Sequence, residues 1–464
     1  MRKLFLSLFC CLALSVCLIA QQNSGNSHEG HNHGSHDHSG HDHSGHDHSG
    51  HDHSGHDHSG HDHSGHDHSG HDHSAHDEHK LDCAHAGHGH HGEFDPGATA
   101  FHHVGDANVY SIGPLQIPLP CILYNTNSGL DVFLSNKFGF ESMGHGDGHY
   151  AYKGYVLDGG VVRMIADKSF PKEKTEIGGV IHDKDDKAYV CALGKMYPTH
   201  NNSTADFGLF GGGITPFYDF SISKNVTTMF IVFLLMFWLF RKIANMYKNR
   251  DGQAPTGVQG FIEPIFLFIQ DEVCKPFLGD KYMKYLPFIM SLFFFILGLN
   301  LFGQVPFFGG SNVTGNLAFT FVLAIFAFFV TNLSGNKHYW EHIFWMPGVP
   351  AWVKTILTPV EVLGVFIKPI TLMLRLFANI TAGHMVIIIF ASLIFIFGKS
   401  GESVIGSWGT VIPSALLSFF MMSIELLVAF IQAFVFAILT ASYIGAAIED
   451  HEHHDEEHAH AHAH

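Results

Sequence analysis

The sequence predicts an all-α membrane protein with about five transmembrane helices and a small, irregular or β-stranded extracytoplasmic region at its amino end. Only 14% of the 464 residues are charged, against about a quarter in an average globular protein. Phe, present 43 times, is most crowded between residues 217 and 436, where long apolar runs also lie. The formal charge of −17 excludes a nucleic-acid binder, because such a protein needs a basic face to displace counterions from phosphates.

The first 20 residues have the pattern of a secretory signal peptide. Arg2 and Lys3 precede an apolar run from Leu4 to Ala20, and a polar sequence begins at Gln21. An uncleaved membrane anchor is the alternative. Three of the four cysteines outside this segment lie outside the cytoplasm on the topology predicted below, so a disulfide is allowed but not specified. The four are Cys83, Cys121, Cys191 and Cys274.

Residues 21–93 form a His-rich tract of low complexity. Gly-His-Asp-His-Ser occurs in seven tandem copies from Gly40 to Ser74, and His is dense from His28 to His91. Because these residue types cannot bury a core, we expect the tract to be disordered. Three roles stay open: binding of a divalent metal such as Zn²⁺ or Ni²⁺, buffering of protons near neutrality, or a tolerated repeat expansion. Residues 449–464 form a second His-rich segment, a predicted cytoplasmic tail.

Residues 94–214 are predicted to be an extracytoplasmic region of short strands. Apolar runs such as Val109–Ile112 and Tyr155–Val162 are separated by Gly, Pro and Asn, which is typical of strands and turns. The region has no nucleophile motif and no repeated metal-ligand spacing. We interpret it as a structural or interaction surface.

Residues 215–448 form the predicted membrane domain, since about twenty apolar residues are enough to cross a bilayer. A helix over Pro359–Phe397 would be nearly twice as long as the bilayer is thick. It must therefore tilt steeply, lie partly in the membrane plane or fold as a hairpin. Val258–Lys284 is predicted to be a partly amphipathic cytoplasmic helix. The predicted spans are Val226–Phe240 with a helical extension to Tyr247, Tyr285–Phe308, Asn316–Leu333, Pro359–Phe397 and Val411–Ile448.

The orientation of these spans follows from the basic residues after the first one. Arg241, Lys242, Lys248 and Arg250 place that loop in the cytoplasm. The amino end is then extracytoplasmic, which agrees with the signal peptide, and five crossings leave the carboxyl end in the cytoplasm.

A small set of ionisable and polar residues lies within the last two apolar stretches, where such groups are costly and therefore functional candidates. Glu361, Lys368 and Arg375 are spaced by seven and Asn379 follows by four, so a helix places them along one stripe. Glu425 and Gln432 are also seven apart. The full set is Glu361, Lys368, Arg375, Asn379, His384, Glu425 and Gln432.

The chemistry of this set suits proton conduction in two pieces separated by a fixed charge. Arg375 stays protonated and cannot carry a proton, whereas His384 and Glu425 can both take up and release one. Simpler alternatives exist for each residue. Arg375 could reach the interface, Lys368 and Glu361 could be interfacial anchors, and the remaining polar side chains could hold helices together.

The decapeptide from Arg375 to His384 (Arg-Leu-Phe-Ala-Asn-Ile-Thr-Ala-Gly-His) resembles the signature of subunit a of the bacterial F-type ATP synthase, the stator of its proton turbine. The resemblance covers about residues 215–448, whereas the His-rich amino-terminal extension is unusual for the family. Further similar segments are Glu361…Lys368-Pro369, Leu299–Gly303, Gly315-Asn316 and Glu425…Gln432–Phe436.

The resemblance implies a role for each polar residue. Arg375 would be the essential arginine that faces the ring of c subunits, keeps a passing ring carboxylate ionised and blocks leakage between two half-channels. Asn379 and Gln432 would flank it at the rotor interface. His384 and Glu425 would belong to the aqueous path from outside; some family members have this imidazole and carboxylate at the opposite positions.

The resemblance also implies the architecture and the partners. The long helices would form a strongly tilted hairpin against the ring, with Glu361 and Lys368 in supporting positions. The c ring, the b subunits, the rest of the complex and the lipid of the bacterial inner membrane would be the partners. No cofactor is expected, and ATP chemistry would take place on other subunits.

A divalent-metal transporter for zinc or nickel is the alternative function, because such carriers often have His-rich loops. The spans, however, offer only His384 as an imidazole, without a carboxylate three or four residues away on the same helix. Gly398-Lys399-Ser400 resembles the end of a phosphate-binding loop, but Leu393 stands where the first Gly is required. Nucleotide binding by this chain is therefore not predicted.

Overall fold

A computed structural model of the chain shows a small β region followed by a bundle of long helices. The predicted signal peptide, the His-rich tract except Cys83, and the His-rich tail lie outside the described residues. Described are Cys83 and residues 105–112, 115–139, 147–183, 187–203, 213–250, 252–305, 311–346, 348–397 and 404–449.

The β region confirms the predicted short strands and consists of antiparallel pairs. The described strands form a five-stranded sheet in the order β6-β7-β11-β10-β9, a three-stranded sheet in the order β12-β3-β4, and the pairs β1-β2 and β5-β8. Gly129, at φ +86°, allows the tight turn between β3 and β4. The strands are β1 Val109–Ile112, β2 Leu115–Pro118, β3 Pro120–Asn125, β4 Gly129–Leu134, β5 Tyr150–Ala151, β6 Tyr155–Asp158, β7 Val161–Ile165, β8 Thr175–Glu176, β9 Gly179–His182, β10 Ala188–Ala192, β11 Lys195–His200 and β12 Phe217–Asp219.

A disulfide joins Cys83 to Cys191 on β10, so the bond that the cysteine count allowed does form. It fastens the end of the His-rich tract to the five-stranded sheet, 108 residues further along the chain. Cys121 and Cys274 are buried free thiols. Burial of Cys121 raises the pKa of its thiol, and the nearby Asp219 carboxylate raises it further, so this thiol is inert.

The helices begin directly after β12. Ser223 caps the first one by accepting a hydrogen bond from the backbone of Val226, and Asn316 caps another by accepting from Ala318 and Phe319. The described helices are α1 Lys224–Asn249, α2 Val258–Ile269, α3 Lys275–Leu278, α4 Tyr282–Gln304, α5 Leu317–Ser334, α6 Lys337–Phe344, α7 Ala351–Phe397 and α8 Val404–Ile448.

Five helical stretches of the described chain are long and apolar enough to cross a bilayer, which confirms the predicted number. The second is longer than predicted, because a π-helical turn at Gln270–Cys274 continues α2 into α3. The chain then bends at Gly279, whose φ is +52°, before α4 begins. The stretches are Lys224–Asn249, Val258–Gln304, Leu317–Ser334, Ala351–Phe390 and Val411–Ile448.

The two longest helices, α7 and α8, form an antiparallel hairpin. The 47 residues of α7 extend for about 70 Å at 1.5 Å per residue, more than twice the hydrocarbon thickness of about 30 Å. The two helices are joined across the hairpin by Ser414 with Phe390, by Glu425 with His384 and by Tyr443 with Lys368. A helix of this length cannot stand upright in a bilayer, so the hairpin must tilt.

The bundle core brings α8 close to α4. Ala429, Ala433, Ala437 and Ala441 are all 0% exposed and lie four residues apart on one face of α8. Such small side chains let neighbouring helices approach closely. Large side chains from α1, α4, α5 and α8 fill the rest of the core: Met229, Ile289, Phe293, Phe319 and Phe436.

Candidate functional site

His384 on α7 and Glu425 on α8 form a pair inside the helical bundle. The distance between His384 Nδ1 and Glu425 Oε1 is 3.6 Å, and their side chains are 19% and 5% exposed. Nine residues separate His384 from Arg375, so the two lie about 14 Å apart along the axis of α7. The hairpin therefore brings together two groups that can each carry a proton.

A polar cleft opens beside this pair. It lies at the end of the bundle that bears the β region, because its wall includes the loop that leads into α5. The lining residues are Leu299, Asn300, Gly303 and Gln304 of α4, Asn312 and Thr314 of the loop, Ile380 and His384 of α7, and Glu425 of α8.

Two amide side chains of α4 hold α8 at the cleft. Asn300 Nδ2 donates to the backbone oxygen of Ala429 at 3.0 Å, and Gln304 Nε2 donates to the backbone oxygen of Glu425 at 2.8 Å. These bonds fix the height of Glu425 relative to α4. The acceptor Oδ1 of Asn300 and the donor Nδ2 of Asn312 are buried and have no protein partner. A cleft lined by such atoms is suited to hold water.

Arg375 and Asn379 occupy a different place from the pair. Both are exposed on the outer face of α7, among apolar side chains such as Leu374 and Ile370, which are 47% and 48% exposed. An exposed guanidinium on an apolar face is costly in lipid, which makes Arg375 a functional candidate. Gln432, in contrast, is 6% exposed and faces the bundle interior.

Lys368 and Glu361 are half-buried, so the predicted stripe does not keep one environment along its length. A straight α-helix drifts by about 20° per heptad, which turns Arg375 outward relative to Glu361. Lys368 Nζ lies 5.3 Å from the ring centre of Tyr443 on α8. Lys368 and Tyr443 line a second cleft at the opposite end of the bundle, together with Thr331, Asn332 and Tyr339.

Sequence reasoning from charge missed several polar residues at the first cleft. Asn300 and Gln304 are uncharged, and Asn312 lies between two predicted spans. The four-residue spacing of Asn300 and Gln304 in an apolar helix was the available signal, since buried amides in membrane helices commonly bond to neighbouring helices.

Comparison with known proteins decides the family. Residues 226–445 match the family described as ATP synthase A chain. ATP synthase subunit a of Chlorobium phaeobacteroides (strain BS1) is 37% identical over 243 residues, which are 51% of this chain and 69% of the relative. The chain belongs to the family of ATP synthase subunit a. It is accordingly a multi-pass membrane protein.

Other relatives agree with this assignment. ATP synthase subunit a of Pelodictyon phaeoclathratiforme is 39% identical over 244 residues, or 51% of this chain and 68% of the relative. That of Myxococcus xanthus is 37% identical over 246 residues, or 51% and 76%. Residues 99–207 match a domain of unknown function, DUF8433. The match to subunit a thus covers the helical bundle, and the β region is matched by a different family model.

The alternative of a zinc or nickel transporter receives no support. Among the residues that the structure describes, no group of three or more His, Cys, Asp or Glu side chains could hold a metal ion. His384 and Glu425 alone supply two ligands, fewer than a metal site needs.

Proposed function

We propose that the chain is the stator proton channel of an F-type ATP synthase, with two half-channels that serve the carboxylates of a c-subunit ring. The observation that carries this proposal is the pairing of His384 with Glu425 in a polar cleft, apart from an exposed Arg375 on the same hairpin. One site can load a proton, and the other is a permanent positive charge.

Uptake of a proton takes place at the first cleft. A carboxylate and an imidazole 3.6 Å apart can share and pass one proton, because each side chain has a form that binds a proton and a form that releases one. Water held by Asn300 and Asn312 connects the pair to the aqueous phase. The buried Gln432 lies two helical turns from Glu425 on α8 and supports the path within the bundle.

Arg375 separates the two half-channels. Its charge attracts a ring carboxylate into the ionised form and repels protons that would otherwise leak between the clefts. At a spacing of about 4 Å and an effective dielectric constant of about 20, such a pair interacts by about 4 kcal/mol. Asn379, exposed one turn further along α7, flanks this contact. Its neighbours on the face are apolar and fit the surface of a helical ring.

The second cleft is the release path on the cytoplasmic side. Lys368 and Tyr443 line it with the polar side chains of α5 and α6, and Glu361 lies two turns beyond Lys368 on α7. The orientation rests on the basic residues at the carboxyl end of α1, which favour a cytoplasmic position in a bacterial inner membrane for that end of the bundle.

The remaining parts of the chain have supporting roles in this proposal. Residues 1–20 direct export, residues 21–93 and 94–214 lie outside the membrane, and residues 449–464 extend into the cytoplasm. The b subunits and the c ring bind the helical domain of residues 215–448. The His-rich tract offers neutral imidazoles that bind divalent metals weakly.

Replacement of Arg375 tests the proposal. Arg375→Ala in the complete complex should abolish ATP synthesis driven by a proton gradient, while the amount of assembled complex in the membrane stays the same. Arg241→Ala is the matched control, because it removes an exposed guanidinium outside the hairpin and should leave synthesis intact. Retained synthesis in Arg375→Ala would refute the assignment.

A further inference from the structure

The β region is joined to the start of α1 through the carboxylate of Asp106. Asp106 Oδ2 accepts a hydrogen bond from Ser223 Oγ at 2.7 Å, and Oδ1 accepts from the backbone N–H of Asn225 at 2.9 Å. Ser223 is the capping residue of α1. A negative charge at this position also suits the positive end of the helix dipole. Asp106 therefore fixes the first turn of α1.

The side chain of Asn225 continues this network into the helical bundle. Asn225 Oδ1 accepts a hydrogen bond from Ser311 Oγ at 2.7 Å, and both residues are 1% exposed. Ser311 lies in the loop between α4 and α5 that walls the first cleft. The next residue, Asn312, lines that cleft beside His384 and Glu425. Asp106, Asn225, Ser311 and Asn312 thus form a continuous polar connection from the β region to the site.

Residues 311–315 of the loop are in close contact with α4 and with one another. A Cβ atom at Gly303 would lie 2.8 Å from the backbone oxygen of Ser311, so α4 and the loop are in close contact. Asn312 Oδ1 accepts from the backbone N–H of Gly315 at 2.9 Å, which orients the Asn312 amide. A change at Ser311 therefore moves Asn312 rather than being absorbed by a loose segment.

We propose that Asp106 is a positioning residue for proton uptake. Through Asn225 and Ser311 it holds in place the loop that walls the first cleft, so the β region takes part in the entry of protons. This inference rests on the proposed proton-channel function. It assigns a role to a segment outside the residues that match subunit a. Asp106 touches neither the proton nor the pair that carries it.

A simple helix cap is the competing explanation. In that case loss of Asp106 would weaken α1 and lower the amount of folded protein. The size of this effect would not depend on whether Ser311 is also replaced. In our proposal the two residues act through one chain of hydrogen bonds. Their replacements should then be strongly non-additive, as expected for residues of one network.

A double-mutant cycle separates these explanations. The complete complex would be expressed with Asp106→Ala, Ser311→Ala and both together, and passive proton flux would be measured in membranes stripped of the peripheral ATP-hydrolysing subunits. Each single variant should lower the flux per assembled complex by about three- to tenfold, the factor of one lost hydrogen bond. The double variant should be no slower than the slower single one. Effects that multiply, or an unchanged flux in Asp106→Ala, would overturn the proposal.

Two further variants make the result independent of assembly. Asp106→Asn keeps an acceptor for the Asn225 N–H and should restore at least half of the flux that Asp106→Ala loses. If Asp106→Ala is absent from the membrane, the cycle is run with Asp106→Asn and judged by the same non-additivity. Ser291→Ala, which removes only a bond within α4 to Pro287, is the matched control for Ser311→Ala. Glu425→Gln tests the proposed function separately, because a full flux there contradicts the channel itself whatever Asp106 does.

Discussion

The buried carboxyl group of Asp219 should destabilise the β region at neutral pH. Asp219 is 1% exposed at the end of β12. Burial raises its pKa to about 6, partly offset by the hydrogen bonds from Ser221, and the nearby Asp106 carboxylate raises it further. Below pH 4 the group is protonated in both the folded and the unfolded chain. Between pH 4 and 6 only the unfolded chain ionises, so stability falls as pH rises through this window.

The size of this effect follows from the shift. A rise in the pKa of Asp219 from about 3.9 to about 6 lowers the free energy of unfolding by about 3 kcal/mol. The full loss of stability is reached above pH 6. Asp219→Asn removes the titrating group and keeps an acceptor for the backbone N–H of Ser221, now at 2.8 Å from Oδ1. The variant should be more stable than the parent at pH 7 and equal to it at pH 4.

Hydrogen exchange of the full chain measures this difference. Amides of β3 and β12, which pair with each other, should be protected about 100-fold more strongly in Asp219→Asn at pH 7, because about 1.4 kcal/mol equals a factor of ten. Glu176→Gln, which neutralises an exposed carboxylate on β8, is the control and should change protection little. If the gain in Asp219→Asn is the same at pH 4 and pH 7, the pKa argument is wrong.

Three further predictions concern packing and hydrogen bonding. Gln304→Leu should lower passive proton flux by about tenfold, because loss of its bond to the Glu425 backbone removes the contact that sets the height of Glu425 against α4. Asp158→Asn should destabilise the β region by about 3 kcal/mol in thermal unfolding, because the buried Arg163, whose Nε lies 2.5 Å from Asp158, keeps its bond to Asn201 but loses its oppositely charged partner. An unchanged midpoint would contradict this. Ala433→Leu should overfill the contact between α8 and α4 and reduce the assembled complex, whereas proton flux per remaining complex should stay constant.

The sequence was most informative where a single residue type has a strong physical preference. Arg375 could be recognised as a functional candidate because a guanidinium within an apolar stretch is costly in lipid, and the structure places it on an exposed helix face. The third span was predicted to begin at Asn316, and α5 begins one residue later, at Leu317, with the Asn316 side chain as its cap. The continuation of α2 towards α4 was not predictable, because the π-helical turn at Gln270–Cys274 has no sequence signature of comparable strength.

Relations between distant segments were beyond the sequence. Charge identified His384 and Glu425 as candidates, but their contact depends on the register of the hairpin, which the packing of α7 and α8 sets. Gln432 was expected beside Arg375 at the rotor interface and is buried in the described bundle instead. Spacing along one helix gives the relative direction of side chains, whereas the direction of the whole set depends on which face the neighbouring helices cover.

The sequence alone determined that this protein is a helical membrane protein with an irregular β region, and that its last two helices contain a guanidinium, an imidazole and a carboxyl group within apolar stretches. Apolar length and the cost of charge in lipid are local properties, so a sequence displays them directly. The tertiary structure decided that His384 meets Glu425, that Asn300 and Asn312 complete the cleft, and that Asp106 connects the β region to it. These contacts join residues as far as about 120 positions apart, and only chain packing determines which of them touch.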